Sequence, residues 1–168
     1  MRYDPELKQR ALADLERGGL GPAHRVILAW VGRDRSVLEL GCATGFLSRE
    51  LAAQGCRVVG VEIDDAAALN AAPYCHAIHV GDAQRLVEST QLGGPFQVVV
   101  MSDVLEHLVD PWTVLTSLKR HLAPGGRVLV SIPNVAFFKN RWNLLRGCWE
   151  YSDLGLMDRT HLRFFSHR

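Results

Sequence analysis

The sequence predicts an α/β fold, a doubly wound and mostly parallel sheet of five strands, and three observations carry that prediction. Short apolar runs rich in β-branched residues recur along the chain. Segments of helical period separate them, and the runs are apolar on both faces, as strands covered on both sides must be. One run, residues 37–40, breaks into the turn Gly41-Cys42-Ala43-Thr44-Gly45, a strand-to-helix turn of the kind that brings backbone N–H groups to a ligand.

The elements follow in order. Residues 5–17 and 22–31 read as two helices split by Gly18-Gly19-Leu20-Gly21. The first strand, 37–40, leads through the glycine turn into a helix over 46–54. A second strand, 57–63, precedes a helix over 66–72, and a third, 77–80, precedes a short helix over 84–88. The fourth strand, 96–101, leads to a helix over 111–122, in which Val114, Leu118 and Leu122 recur on one face while Lys119 and Arg120 face away. Pro124-Gly125-Gly126 stops that helix and turns into the fifth strand, 127–132. Past Pro133 a helix is expected over 135–146, and residues 147–168 are aromatic and basic without a clear period.

At 168 residues the chain is long enough for one domain with a real core. Nineteen Lys and Arg against eighteen Asp and Glu give no electrostatic case for nucleic acid. Cys42, Cys56, Cys75 and Cys148 show neither C-x-x-C nor zinc spacing, so they read as reduced, mostly buried thiols, and no metal is expected. No apolar run is long enough to span a membrane, and the N-terminus is too charged for a signal peptide, so the expected location is the cytoplasm.

In a sheet of this kind ligands bind at the carboxyl ends of the strands, which directs attention to the residues just past each one. Glu39, two residues before Gly41, places an acid where a pyrophosphate would be repelled and an ammonium or sulfonium group favoured. Alanine at position 43 also departs from the dinucleotide fingerprint G-x-G-x-x-G. Both features point to a positively charged nucleoside ligand. Glu62 closes the second strand, where a carboxylate can accept from both hydroxyls of a ribose; a solvated strand-end charge is the plainer alternative. Asp64 and Asp65 read as helix caps. Asp82 either accepts from an exocyclic adenine amine or caps the short helix that begins at Ala83, and both readings stay open.

VLELGCATG, VVGVEID, HVGDA, VVVMSDVLEHLVDP and LAPGGRVLVSIPN, in that order, resemble the class I S-adenosylmethionine-dependent methyltransferases, closest to the branch with quinone-biosynthesis and polysaccharide-associated enzymes. The resemblance covers residues 25–134 closely and implies a Rossmann-like methyltransferase fold. It divides the single domain, 1–168, into N-terminal helices (1–34), a cofactor-binding core (35–134) and an acceptor-side or lid segment (135–168). It implies S-adenosylmethionine as cofactor, with S-adenosylhomocysteine as product. Carried over by position, Glu39, Gly41, Cys42, Ala43 and Gly45 pass the methionine part of the cofactor. Glu62, with Ile63 beside it, holds the ribose; Asp82 and Ala83 contact adenine; Ser102, Asp103 and Val104 flank the methionine moiety. The family turn usually has glycine where this chain has Ala43. Residues 151–165 resemble the segment that helps cover the acceptor site in that branch. The family fold normally continues with a helix and two further strands, so the sheet is expected to lack its C-terminal antiparallel hairpin and to leave an open edge for self-association or a partner.

For a hydroxyl acceptor a general base helps, and histidine is the commonest choice. His107, just past the fourth strand, and His161, in Asp158-Arg159-Thr160-His161, compete for that role. His107 leans towards orienting a loop and His161 towards touching the acceptor. Phe138 and Trp142 share a helical face, for which ordinary packing is the simpler account and an apolar acceptor pocket or partner surface the sharper one. Arg141, Arg146, Arg159 and Arg163 read as a solvated basic face, or as contacts to an acidic acceptor. The leading expectation is an O-methyltransferase acting on a small-molecule or glycan-type acceptor. The competing one is an inactive cofactor-binding or partner subunit, and a nicotinamide dehydrogenase is a distant third.

Overall fold

Alternating strand and helix signals become alternating strands and helices in the computed structural model, which describes residues 20–89 and 91–167. The helix expected over residues 5–17 lies outside the described residues. The elements run α1 (Pro22–Val31), β1 (Ser36–Leu40), α2 (Phe46–Ala53), β2 (Arg57–Glu62), α3 (Asp65–Ala71), β3 (Ala77–Val80), α4 (Ala83–Leu86), β4 (Phe96–Ser102), α5 (Pro111–Ser117), β5 (Leu122–Ser131) and α6 (Phe138–Leu145). Short 3₁₀ turns over Leu105–His107 and Leu118–His121 precede and follow α5.

All strand pairs are parallel, in the order β3-β2-β1-β4-β5. The order reverses between β1 and β4, and the crevice outside their carboxyl ends is where this topology leaves room for a ligand. Side chains alternate across the sheet. Leu38, Leu40, Val99 and Met101 join Val114 and Leu118 of the α5 side in one core cluster. Val37, Val58, Val98 and Val100 join Ile27, Val31, Leu47 and Leu51 of α1 and α2 in the other. Both faces are covered, as the apolar runs require.

Two expectations about elements need correction. Pro124-Gly125-Gly126 does not precede the fifth strand but bulges within it: Phe96 pairs with Leu122, and Val98 with Arg127. Pro124 has no N–H to give and Gly125 sits at φ +74°, so the chain loops out without ending the strand. The helix read over 111–122 is α-helical only to Ser117, then tightens to 3₁₀. Ordinary packing does not account for Phe138 and Trp142 either. They are 72% and 61% exposed, because α6 buries only Asn140 and turns its aromatic side chains outward. The cysteines are all free, with Cys42 and Cys56 buried, Cys75 half-buried and Cys148 exposed.

β5 pairs on one side only among the described residues. The tail beyond α6 folds back onto the loop after β4 and onto the segment just past β5, where Asn134 and Phe165 form an isolated parallel bridge. The N–H groups of Leu162 and Arg163 donate to the Glu106 carbonyl at 2.7 and 3.0 Å, and the N–H of Val135 donates to the Phe165 carbonyl at 2.8 Å.

Candidate active site

The glycine turn is shaped by close approach as much as by chain reversal. Gly41 (φ +70°) and Gly45 (φ +82°) occupy the left-handed region, which is open to glycine without strain. A Cβ at Gly41 would stand 2.6 Å from Val104 Cγ2, and one at Gly45 would stand 2.6 Å from the Ala71 backbone. The turn after β1 therefore sits directly against the loop after β4. The N–H groups of Gly41 and Cys42 both donate to the Val61 carbonyl, at 2.8 and 3.1 Å. Ala43 adopts φ +48°, a conformation that costs an L-residue about 1–2 kcal/mol.

Glu62 holds that strained residue in place. Its Oε2 accepts from the Ala43 N–H at 2.8 Å, and its Oε1 accepts from the N–H groups of Ile63 and Asp64 at 2.9 and 3.0 Å. A carboxylate offers about four acceptor positions, and backbone donors engage three. Gripping both hydroxyls of a ribose requires one backbone donor to give way, so Glu62 couples the turn to whatever it binds. Ile63 contributes its N–H to this arrangement, and its side chain is exposed. Asp64 caps α3, accepting from the Ala67 N–H, with Asp65 in the first turn. Asp82 caps α4 through Oδ1, which accepts from the Gln84 N–H at 2.8 Å. Its other oxygen is not used in the cap, and Ala83 opens the helix.

Glu39 calls for a revision of the charge argument. It points to the α2 side of the sheet, 3% exposed, and its Oε2 accepts from Ser48 Oγ at 2.6 Å. Burial pushes its pKa up to about 8, against the lowering effect of the Ser48 hydrogen bond, with Cys75 and Glu62 adding to the rise. Burial thus favours the uncharged carboxyl, which weakens the case for repulsion of a pyrophosphate.

On the β4 side, Asp103 sits at φ +53°, and its Oδ1 accepts from Ser131 Oγ at 3.3 Å; Ser131 Oγ also meets Ser102 Oγ at 3.0 Å. Val104 covers Gly41. His107 and His161 come together from two distant segments, with ring centroids 4.8 Å apart. His107 Nδ1 lies 3.2 Å from both the carbonyl and the hydroxyl of Thr160. The Thr160 hydroxyl gives its proton to Asp158 Oδ1 at 2.7 Å, and the Thr160 carbonyl can only accept, so Nδ1 of His107 is the donor in this pair. Beside the histidines lies Glu106, which the sequence reading passed over, its Oε1 4.0 Å from His161 Nε2. It is 1% exposed, and burial, with Asp103 and Asp158 near, raises its pKa to about 7. The acid-His pair in SDVLEHL was the visible signal. Arg159 is taken by Asp153 at 2.8 Å, and Arg163 donates to the Val109 carbonyl, while Arg141 and Arg146 are exposed.

The model of a methyltransferase domain matches residues 5–168. The chain belongs to that family. Among curated relatives, a ubiquinone biosynthesis O-methyltransferase of Pseudomonas aeruginosa is 33% identical over 106 residues, covering 60% of this chain and 45% of the relative. One of Serratia proteamaculans is 34% identical over 136 residues, covering 72% and 55%. The chain thus spans about half the length of the curated relatives it matches. Among solved structures, an S-adenosylmethionine-dependent methyltransferase of Thermotoga maritima, described as a possible histamine N-methyltransferase, superposes with TM-score 0.70 at 19% identity, over 95% of this chain and 70% of the other. The N-methyltransferase NodS of Bradyrhizobium japonicum, in complex with S-adenosyl-L-homocysteine, gives TM-score 0.59 at 25% identity, over 73% and 68%. The Rossmann-like architecture expected from the motifs is the architecture of this family, whose cofactor is S-adenosylmethionine; the Thermotoga neighbour is described as dependent on it, and NodS holds its demethylated product. No helix among the described residues is long and apolar enough to cross a membrane.

Proposed function

We propose that this domain transfers a methyl group from S-adenosylmethionine to an oxygen of a small-molecule acceptor. The observation that carries the reading is the meeting of His161 from the tail with His107 on the loop after β4, the loop whose Val104 closes on the glycine turn. The chain's donor set fits the cofactor: a glycine cradle closed by Val104, the Glu62 carboxylate at the ribose position, and Asp82 with Ala83 on the adenine side. Bound there, the sulfonium cofactor supplies an electrophilic methyl group. Glu62 orients the ribose, while Ser102, Asp103 and Val104 flank the methionine portion. Nε2 of His107, in the neutral imidazole whose Nδ1–H is held by Thr160, accepts the acceptor's proton. His161 borders the same space, and its packing on Phe164 (centroids 6.3 Å) helps keep water out. The printed name of the curated relatives supports an oxygen acceptor, and a phenolic or catechol hydroxyl is the class to try first; a glycan hydroxyl comes second.

Radiolabelled methyl transfer to a panel of phenols, catechols and sugars tests the reading. Transfer to at least one hydroxyl acceptor is expected, falling about 10²-fold or more in His107→Gln with S-adenosylhomocysteine affinity unchanged. Transfer unaffected by that substitution would end the base assignment. A second reading, a cofactor-binding partner subunit, draws on the exposed Phe138, Trp142 and Leu145 of α6. It is favoured if S-adenosylhomocysteine binds and no acceptor is methylated.

A further inference from the structure

We infer that Cys42 and Cys75 are a site of reversible oxidation: a hydroperoxide joins them as a disulfide, and the bridge loosens the hold of the glycine turn on its cofactor. The two residues are distant in sequence. Cys42 lies in the turn after β1, and Cys75 ends the 3₁₀ turn Ala72–Tyr74 just before β3. The sheet brings them together over Gly60 of β2. A Cβ at Gly60 would stand 2.9 Å from the Cys42 Sγ and 3.1 Å from the Cys75 Sγ, so both sulfurs share the space that a side chain there would fill. Gly60 does not have the left-handed backbone that would call for glycine; its missing side chain is what lets the thiols meet. Both are free.

The two thiols are chemically unequal. The Cys42 S–H donates to the Cys75 sulfur, which draws the Cys75 thiol down to about 7 against the opposing effect of burial. The same hydrogen bond, followed by burial, pushes the Cys42 thiol up. Cys75 is half-buried, whereas Cys42 is 1% exposed. The more acidic sulfur is therefore the one a small oxidant reaches, and the second stands behind it, ready to resolve the product.

The Cys75 thiolate attacks one oxygen of the hydroperoxide. An S–O bond forms as the O–O bond breaks, and the departing alkoxide or hydroxide regains the proton that Cys75 had lost to solvent. The Cys42 sulfur then attacks the Cys75 sulfur. An S–S bond forms, the S–O bond breaks, and the Cys42 proton leaves with the hydroxide as water. Two electrons pass from the thiols to the peroxide, and a dithiol reductant reverses the change. Closing the bridge pulls Cys42 towards β3. Its carbonyl accepts the Gly45 N–H at 2.9 Å, and the next residue, Ala43, donates to Glu62 at 2.8 Å. Displacing Cys42 thus disturbs both the turn and the carboxylate at the ribose position. That effect rests on the cofactor placement proposed above; the bridge does not.

The test uses the full chain carrying Cys148→Ser, which removes the exposed competing thiol, reduced and then treated with stoichiometric hydrogen peroxide. Free thiols are alkylated after denaturation, and trypsin, cutting after Arg49 and Arg57, releases Cys42 and Cys75 in separate peptides. Those two peptides should be found joined, with Cys56 alkylated. Affinity for S-adenosylhomocysteine, read by titration calorimetry, should fall about tenfold or more and return with dithiothreitol. Cys75→Ser should bind as the reduced chain does and ignore peroxide; if it unfolds, Cys75→Ala decides in its place. A folded chain in which Cys75 stays free or advances to the sulfinic acid, with no bridge to Cys42, overturns the inference. So does a bridged chain that binds S-adenosylhomocysteine as before. A reduced chain that does not bind S-adenosylhomocysteine overturns both the inference and the proposed function. One that binds it but methylates no hydroxyl fails the proposed function and leaves the inference standing.

Discussion

Glu62→Ala separates two tasks that one carboxylate performs. In the unliganded chain that group ties the end of β2 to the glycine turn by accepting three backbone N–H groups. The donors at Ile63 and Asp64 are exposed and pass to water at small cost. The Ala43 donor is partly buried, on a residue already held in the left-handed region. A hydrogen bond to a charged acceptor is worth about 1.5–3 kcal/mol, and the exposed pair adds about half of one such bond, so the substitution should cost roughly 2–4 kcal/mol. For a chain of this size that lowers the melting temperature by roughly 5–15 °C. Loss of the ribose contact should weaken S-adenosylhomocysteine by a further 1.5–3 kcal/mol or so, about 10- to 150-fold. Glu62→Gln retains one acceptor oxygen and should fall between the two. Scanning calorimetry and titration calorimetry read the effects separately. A Glu62→Ala chain that melts with the wild type refutes the tie to the turn, and one that binds S-adenosylhomocysteine normally refutes the ribose assignment.

Ala43→Gly should stabilise the chain by about 0.5–1 kcal/mol, because relief of left-handed strain exceeds the added flexibility of the unfolded state; an unchanged or lower denaturation midpoint would count against strain at that residue. Glu39 predicts a pH dependence. Its folded pKa, about 8, lies above the unfolded value near 4.5, so its contribution is fully present below pH 4.5 and is lost as pH rises through 8. The stability difference between wild type and Glu39→Gln should therefore fall by on the order of 4 kcal/mol between those limits. Parallel stability curves would show that Glu39 is not buried as described.

Strands and helices were legible because each is a local pattern, and β3 and α1 match their predicted limits residue for residue. The fifth strand was misplaced at its start because Pro-Gly-Gly ordinarily marks a turn, and only the pairing of Leu122 with Phe96 shows that the ladder begins before it. At the site, Glu62 and Asp82 were found through their positions at strand ends. The capping use of Asp82 was visible, but the grip of Glu62 on Ala43 was not, since it joins the end of β2 to the turn after β1. The Glu39 side chain was read as a charge because a sequence does not display burial, and Ser48 on α2 is what meets it. Glu106 was missed for a related reason. Its neighbours His161 and Thr160 lie far along the chain, in the stretch without period, and nothing local signals that they return to it.

That return has a consequence for how the protein can change. On the proposed function, the cofactor half is held by the sheet, but the acceptor half exists only while the final segment is clasped to the loop after β4 through the Glu106 carbonyl and Thr160, and to the segment past β5 through Phe165. Those fastenings are few and mostly backbone-mediated, so they constrain the path of the segment far more than its side chains. New residues can be tried at Phe164, Leu162 or Tyr151 without disturbing β1 or the glycine turn. The fold therefore behaves as a fixed handle with an exchangeable jaw, and selection for a different acceptor can act on one part while the other stays as it is.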